Sequence, residues 1–398
     1  MKAPLYVHIP YCLKKCGYCD FFSIPQKSVP KDYVEALARQ IEFLAQNFSV
    51  EEWKSVYIGG GSPSLLSPES LAFLCKKITA AAPLSDGGEW TVEMNPGSLS
   101  KELLEAAKAE GVNRLSVGIQ CKNDLVLKTA GRLATEEEIL EAAALIKKSW
   151  GLSWSADLMA GLPFQTKEIL ESDIDFVSSA GANHVSLYSL TLEEGTPLKE
   201  KIDLKKIPYD EEKAEELWLF GRDELERRGF FQYEVSNFSK PGFESRHNAF
   251  YWALESYLGA GAGAAGTIYK NPEGVRYTNI LDAAAYTNFW LNKGGEPSNN
   301  GAKEKAMKND WAAQLDFPCQ KEALDMETQE FEYLMMNLRT RRGASKKEYQ
   351  KRFGRSLARR LEKAGKSDWL LRRSENGEDF FSMTREGLLF LNSFLEEL

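Results

Sequence analysis

Six short runs rich in β-branched and aromatic residues, at 5–9, 55–58, 90–93, 114–118, 154–159 and 184–190, alternate with longer stretches at 33–48, 68–81, 100–110, 135–150 and 167–180. The short runs read as buried strands, and the longer ones repeat their apolar residues near every 3.6 positions, as amphipathic helices do. Ser67-Pro68 and Ser100 stand where helices start, and Gly111, Gly151 and Gly181 stand where helices end. Strand-then-helix repeats at this spacing require parallel strands joined by right-handed crossovers. Six units fall short of the eight in a closed barrel. The expected fold class is therefore α/β, a partial (β/α)6 barrel, with an open doubly wound sheet as second choice.

Past residue 203 the alternation breaks. A charged stretch with Pro208 leads into a helix at 211–229 and then a turn-rich segment at 233–266. Residues 293–308 are polar and rich in Gly, Asn and Lys, which reads as a linker or surface loop. Residues 322–398 read as helices with a hairpin near 369–382, a small, mainly helical α+β module of winged-helix type. The expected division is a barrel core at 1–230, an extension at 231–300 and a C-terminal module at 301–398. A chain of 398 residues with 43% hydrophobic content can bury cores of this size. No apolar run approaches the roughly 18 residues that span a bilayer. Met1-Lys2-Ala3-Pro4 enters a strand-like run at once without a leader pattern, so a cytoplasmic location is expected. The net charge of −8 is uneven: residues 339–373 carry fourteen Lys and Arg against three Asp and Glu. That excess suits a docking face for an acidic acceptor or for anionic lipid at a membrane surface.

The densest chemical signal is CLKKCGYC, with Cys12, Cys16 and Cys19 in the loop after the first strand. Cys75, Cys121 and Cys319 are scattered; the first two read as buried core thiols. Three thiols within eight residues of an expected reducing compartment read as metal ligands, and thiolates are the preferred ligands of iron–sulfur clusters. Three ligands on a four-iron cluster leave one iron open, and an open position is how a metal site binds a small molecule. A zinc knuckle would need a fourth ligand, and no Cys or His follows nearby. His8 lies on the preceding strand, and the chain has only two other histidines, His184 and His247.

CxxxCxYC after a first strand resembles the signature of radical S-adenosylmethionine (SAM) enzymes. YVHIPYC, YIGGGSPS, EMNP, RLSVGIQ, DLMAGLP and SLYSLTLEEGTP extend the resemblance over residues 4–265. They are similar to the branch that holds the oxygen-independent coproporphyrinogen III dehydrogenases and the HemW heme chaperones. The resemblance implies a 4Fe-4S cluster on Cys12, Cys16 and Cys19, with SAM contacted by Tyr6, Tyr18, Gly60, Gly61, Ser62, Glu93, Gln120, Arg132 and Asp157. The three glycines before Ser62 let backbone approach closely, and Glu93 ends the third strand, where it could accept hydrogen bonds from ribose hydroxyls.

Two features separate the branches. The dehydrogenases carry a further cysteine two residues after the third ligand, where this chain has Phe21, and an N-terminal arm, which a motif starting at residue 12 is expected to lack. His247-Asn248-Ala249-Phe250-Tyr251-Trp252 matches the HNxxYW motif of the chaperones, implying heme contacts by His247, Asn248, Tyr251 and Trp252. Imidazole is an ordinary axial ligand of heme iron; a hydrogen-bonded structural histidine is the other reading. The resemblance also places a second His where this chain has Ala265, which puts heme ligation in question there. Gly261 to Gly266 fits GxGxxG, but no strand–turn–helix unit surrounds it, so a dinucleotide site is not expected. The expected function is a heme chaperone that binds the cluster, SAM and heme and hands heme to acceptor apoproteins. Coproporphyrinogen oxidation is the alternative, and a nucleic-acid-modifying enzyme using the basic module a more distant one. No nucleic-acid partner is expected, and the oligomeric state stays open.

Overall fold

The computed structural model describes residues 1–292 and 314–398; the expected linker at 293–308 lies outside them. Six strands form the barrel wall: β1 (Lys2–Ile9), β2 (Glu52–Gly60), β3 (Leu84–Met94), β4 (Arg114–Gln120), β5 (Ser153–Ala160) and β6 (His184–Ser189). Each is followed by a helix: α1 (Lys31–Asn47), α2 (Pro68–Ala81), α3 (Lys101–Ala109), α4 (Glu136–Leu145), α5 (Lys167–Ser179) and α6 (Glu211–Arg227). Every neighbouring pair from β1 to β6 is parallel and sequential in space. A doubly wound sheet reverses its strand order partway. This one never does, so its winding is that of a barrel, and the sheet ends in two edges rather than closing.

The expected signals act as the physics requires. Ser67, Ser100 and Thr166 each accept a backbone N–H in the first turn of the following helix, and Thr135 forms a reciprocal capping box with Glu138. The expected helix at 135–150 closes as a π-helical turn, Ile146–Trp150. Strand side chains on both faces are buried: Leu5, Val7, Ile9, Val56 and Ile58 on one face and Ser55 and Thr91 on the other are fully enclosed.

The segment read as turn-rich is more regular than expected. Phe231–Gln232 and Asn237–Ser239 extend the sheet antiparallel beyond β6, and Leu258–Ala260 adds a parallel strand beside β1. The glycine-rich run then turns back into the strand Ala265–Ile268, which pairs with Gly274–Asn279. It joins strand to strand, so the geometry of a dinucleotide loop is absent. Gly261 has φ +110°, and a Cβ there would lie 2.4 Å from the His8 carbonyl oxygen; only glycine fits. Strand Cys319–Leu324, in a region without a strand signal, pairs with Gly274–Asn279.

A second apolar cluster, including Tyr333, Tyr349, Phe353, Leu357 and Phe394, fills the C-terminal module. Its expected hairpin is Leu370–Glu375 with Glu378–Met383. The basic excess at 339–373 is partly consumed inside the module. Arg355 and Arg360 pair with buried Glu330, Lys346 and Arg372 with Asp379, and Arg352 with Glu348. Glu330 and Asp379 fall outside the window whose charge was counted, so the uncompensated face is smaller than the sequence suggests.

Gln40 of α1 fastens the glycine-rich turn to the barrel. Its amide oxygen accepts from Gly261 N–H at 2.8 Å and Tyr286 O–H at 2.6 Å, and its amide nitrogen donates to Asn279 at 2.5 Å. All four are buried. Gln40→Ala strands these partners and is expected to cost about 3 kcal/mol in chemical denaturation; a loss below about 1 kcal/mol would contradict this role.

Candidate functional site

The loop after β1 reaches the C-terminal mouth of the barrel, where barrels of this winding place their chemistry. Its ends are held by a short ladder of Tyr11–Cys12 against Ile24–Pro25. Its middle is held by Gly17, whose N–H donates to Ala130 O at 2.9 Å and whose carbonyl accepts from Leu198 N–H at 2.7 Å. Cys12, Cys16 and Cys19, all free thiols, line a cavity of about 500 Å³ together with Tyr18, Gly60, Gly61, Ser62, Glu93, Gln120, Arg132 and Asp157. The resemblance thus brings eight of its nine SAM positions to one cavity. Tyr6 is the exception: its hydroxyl shares a 2.8 Å hydrogen bond with His8 Nδ1 and it faces a different cavity.

The glycine run is demanded first by protein neighbours. A Cβ on Gly59 would sit 2.8 Å from the Tyr57 ring and 2.9 Å from the Glu93 carboxyl, and one on Gly61 would sit 2.5 Å from the Tyr11 carbonyl oxygen. β2 can end against both the cysteine loop and Glu93 only without side chains there. Arg132 spans the site. It donates to Gly118 O at 2.6 Å and Asn95 Oδ1 at 3.1 Å, and approaches Cys16 Sγ at 3.7 Å. Asn95 in turn donates to Ser62 Oγ at 2.6 Å. Asn95 stands two residues after Glu93 in the EMNP motif, so the sequence carries its signal as well.

Burial governs the acids. Glu93 accepts from Tyr57 O–H at 2.7 Å and Gly60 N–H at 3.0 Å, yet desolvation pushes its carboxyl up to about 7. Asp157 accepts from Ser116 Oγ at 3.0 Å and is also raised by burial. Burial likewise raises the Cys19 thiol. Among the described residues no three His, Cys, Asp or Glu side chains already converge on one metal-binding point. The donor set nevertheless fits an iron–sulfur cluster in kind: three thiols lining one cavity with the half-buried Arg132 guanidinium against one of them.

The second cavity, about 1020 Å³, lies between the barrel and the C-terminal module. His247, Asn248, Tyr251 and Trp252 line it, with Tyr6, Tyr57 and Ala265 from the barrel side and Met335, Met336 and Arg339 from the module. Tyr188 lines both cavities. The helix Arg246–Trp252 is capped by Ser245, and Glu89 accepts the His247 N–H at 3.0 Å. His247 is only 1% exposed, and burial pushes its imidazole down to about 3. Both ring nitrogens are engaged: Nδ1 with Ser55 Oγ and Nε2 with Tyr251 O–H, each at 2.8 Å. The spacing of His and Tyr in HNAFYW is therefore an i,i+4 hydrogen bond on one helix face. The other two histidines are equally occupied. His8 contacts Tyr6 O–H and Phe22 O, and His184 contacts Ser155 Oγ and Tyr233 O–H. Cys75 and Cys121 are fully buried, as expected.

The raised Glu93 carboxyl has a spectroscopic consequence. The folded protein holds that proton to about pH 7, whereas an unfolded glutamate releases it near 4.3, so this group makes folding less favourable as pH rises through that interval. Infrared difference spectra should show protonated-carboxyl absorption at pH 6 that fades towards pH 8 and loses one contribution in Glu93→Gln, the buried Glu234 keeping its own. An identical spectrum in the variant at pH 6 would contradict the assignment.

The family described as the Radical SAM superfamily matches residues 6–177. The chain is 38% identical to the heme chaperone HemW of Lactococcus lactis, over 69% of this chain and 71% of that protein. It is 33% identical to the heme chaperone HemW of Haemophilus influenzae, over 98% and 96%. Among solved structures, coproporphyrinogen III oxidase (HemN) of Escherichia coli, a radical SAM enzyme, superposes with a TM-score of 0.77 over 100% of this chain and 90% of that one, at 18% identity. At that identity the likeness is one of fold.

Proposed function

The chain belongs to the HemW heme chaperone family of the radical SAM superfamily, and from that membership we propose that it carries heme to acceptor apoproteins under the control of a cluster-and-SAM site. The observation that carries this reading is the pair of cavities meeting at Tyr188, one walled by the three cysteines, the other by the HNAFYW residues.

In this reading Cys12, Cys16 and Cys19 hold a 4Fe-4S cluster, with Arg132 beside Cys16 offsetting negative charge. Metal binding displaces thiol protons and draws the ligands together. Tyr18, Gly60, Gly61, Ser62, Glu93, Gln120, Arg132 and Asp157 orient SAM. Glu93, ionised above about pH 7, would accept the ribose hydroxyls, while the Ser62–Asn95–Arg132 hydrogen bonds hold that part of the cavity wall in place. A 4Fe-4S cluster held by these cysteines would supply one-electron chemistry towards SAM. Phe21, 71% exposed at the rim, occupies the place of the extra cysteine of the dehydrogenases, which favours the carrier reading over porphyrinogen oxidation. Heme enters the second cavity against Tyr251 and Trp252. Iron ligation by His247 requires Tyr251 to release Nε2. Ala265 lines the same cavity, so the imidazole that the resemblance places there is replaced by a methyl group.

Two experiments test these assignments. Anaerobic reconstitution should load about four irons per chain with visible charge-transfer absorbance, and each of Cys12→Ala, Cys16→Ala and Cys19→Ala should lose it. A variant that keeps full iron would remove that residue from the ligand set. Tyr251→Phe frees His247 Nε2 and should strengthen heme binding several-fold, while His247→Ala should weaken it and shift the Soret band. Identical heme spectra and affinities in both variants and the wild type would exclude His247 as a ligand.

A further inference from the structure

Buried polar atoms without partners are costly, and each asks what would satisfy it. Among the described residues nine buried side-chain N or O atoms lack one, and three belong to residues of the second cavity: Glu234 Oε1, Asn237 Oδ1 and Trp252 Nε1. Glu234 is 2% exposed and Asn237 5%, so solvent does not readily reach them.

The cavity also holds an unbalanced cation. Two guanidinium groups line it. Arg276 is paired with Glu332 at 2.5 Å and Glu322 at 3.1 Å. Arg339 makes no ion pair and no side-chain hydrogen bond among the described residues. It is not loosely placed: its N–H donates to Met336 O, Thr340 bridges to Glu234, and Arg341 N–H donates to Tyr233 O at 2.8 Å. Its backbone is thus locked beside the barrel edge, next to Glu234, without an ion pair to it. Burial holds the Glu234 carboxyl up to about 7, so at neutral pH it carries only part of a negative charge towards Arg339. The cavity lining is also aromatic, with Tyr6, Tyr57 and Trp252. A large flat ligand with a carboxylate edge matches this distribution: π faces for the ring, a guanidinium for the carboxylate.

We propose that Arg339 anchors a carboxylate of the bound cargo, so that the acid edge of a heme lies against Arg339 of the C-terminal module, in the cavity where Trp252 Nε1 is the unpartnered donor. This rests on the heme-carrier reading and deepens it. The C-terminal module supplies the group that reads the acid edge, and recognition proceeds through the side chains of the porphyrin rather than through iron alone.

The test compares heme with its dimethyl ester, whose carboxylates are blocked, on the full chain. Wild-type protein should bind heme about tenfold more tightly than the ester, the scale of a charge-assisted hydrogen bond. Arg339→Gln should weaken heme about tenfold, leave the ester unchanged and so erase the preference. Arg339→Lys should keep most of it. Equal affinity of the wild type for both ligands, a preference that survives in Arg339→Gln, or an equal loss of both ligands in that variant would overturn the anchor while leaving the heme reading intact. Binding of neither ligand by the wild type would overturn the heme reading and the anchor with it.

Discussion

Six parallel strands wound in sequence leave two sheet edges exposed, and the covering of those edges shapes everything else in the molecule. An open edge presents unpaired N–H and C=O groups that must find partners. Leu258–Ala260 satisfies the β1 edge in parallel, and Asn237–Ser239 satisfies the β6 edge antiparallel. The two covers do not meet. The second cavity occupies the gap, lined from the β1 side by Tyr6, Tyr257 and Ala265 and from the β6 side by Tyr188, Glu234 and Asn237, with the C-terminal module as its outer wall. A barrel closed by eight strands would have no such space.

The same geometry separates two chemical environments that remain in contact. The barrel mouth gathers the cysteine loop, the glycine run and the acids at the strand ends. The gap gathers aromatic rings. Tyr57 belongs to the gap by its position and to the mouth by its hydrogen bond to Glu93. Most polar groups in the interior are paired: each histidine has both ring nitrogens engaged, and Glu93 and Asp157 accept from neighbouring hydroxyls. Pairing makes such groups rigid, since an unpaired one would carry the full desolvation cost. Among the described residues, three of the nine exceptions line the cavity where heme is inferred.

What could be read from the chain follows from how local each signal is. The alternation of strand and helix, the caps at Ser67 and Ser100 and the C-terminal hairpin rest on nearest-neighbour chemistry and appear where expected. CLKKCGYC and the strand-end motifs converge because consecutive parallel strands all end on one face. Features built by distant partners were opaque. Cys319–Leu324 carries three consecutive polar residues, Gln320, Lys321 and Glu322, and reads as a strand only beside Gly274–Asn279. The basic stretch looks uncompensated until Glu330 and Asp379 fold onto it. Tyr6 sits in a motif tied to SAM, yet the orientation fixed by His8 turns it to the other cavity. HNAFYW advertises an imidazole ligand, while Ser55, nearly two hundred residues earlier, occupies one nitrogen and Tyr251 the other.

The central claim is that cluster-bound SAM and the heme cargo occupy different chambers of one chain. Heme titration of anaerobic, cluster-loaded protein, with and without saturating SAM, addresses it most directly. The account predicts that both ligands bind at once, with SAM changing the heme affinity without abolishing it. Mutually exclusive binding, with heme displacing SAM from the cysteine cavity, would contradict it.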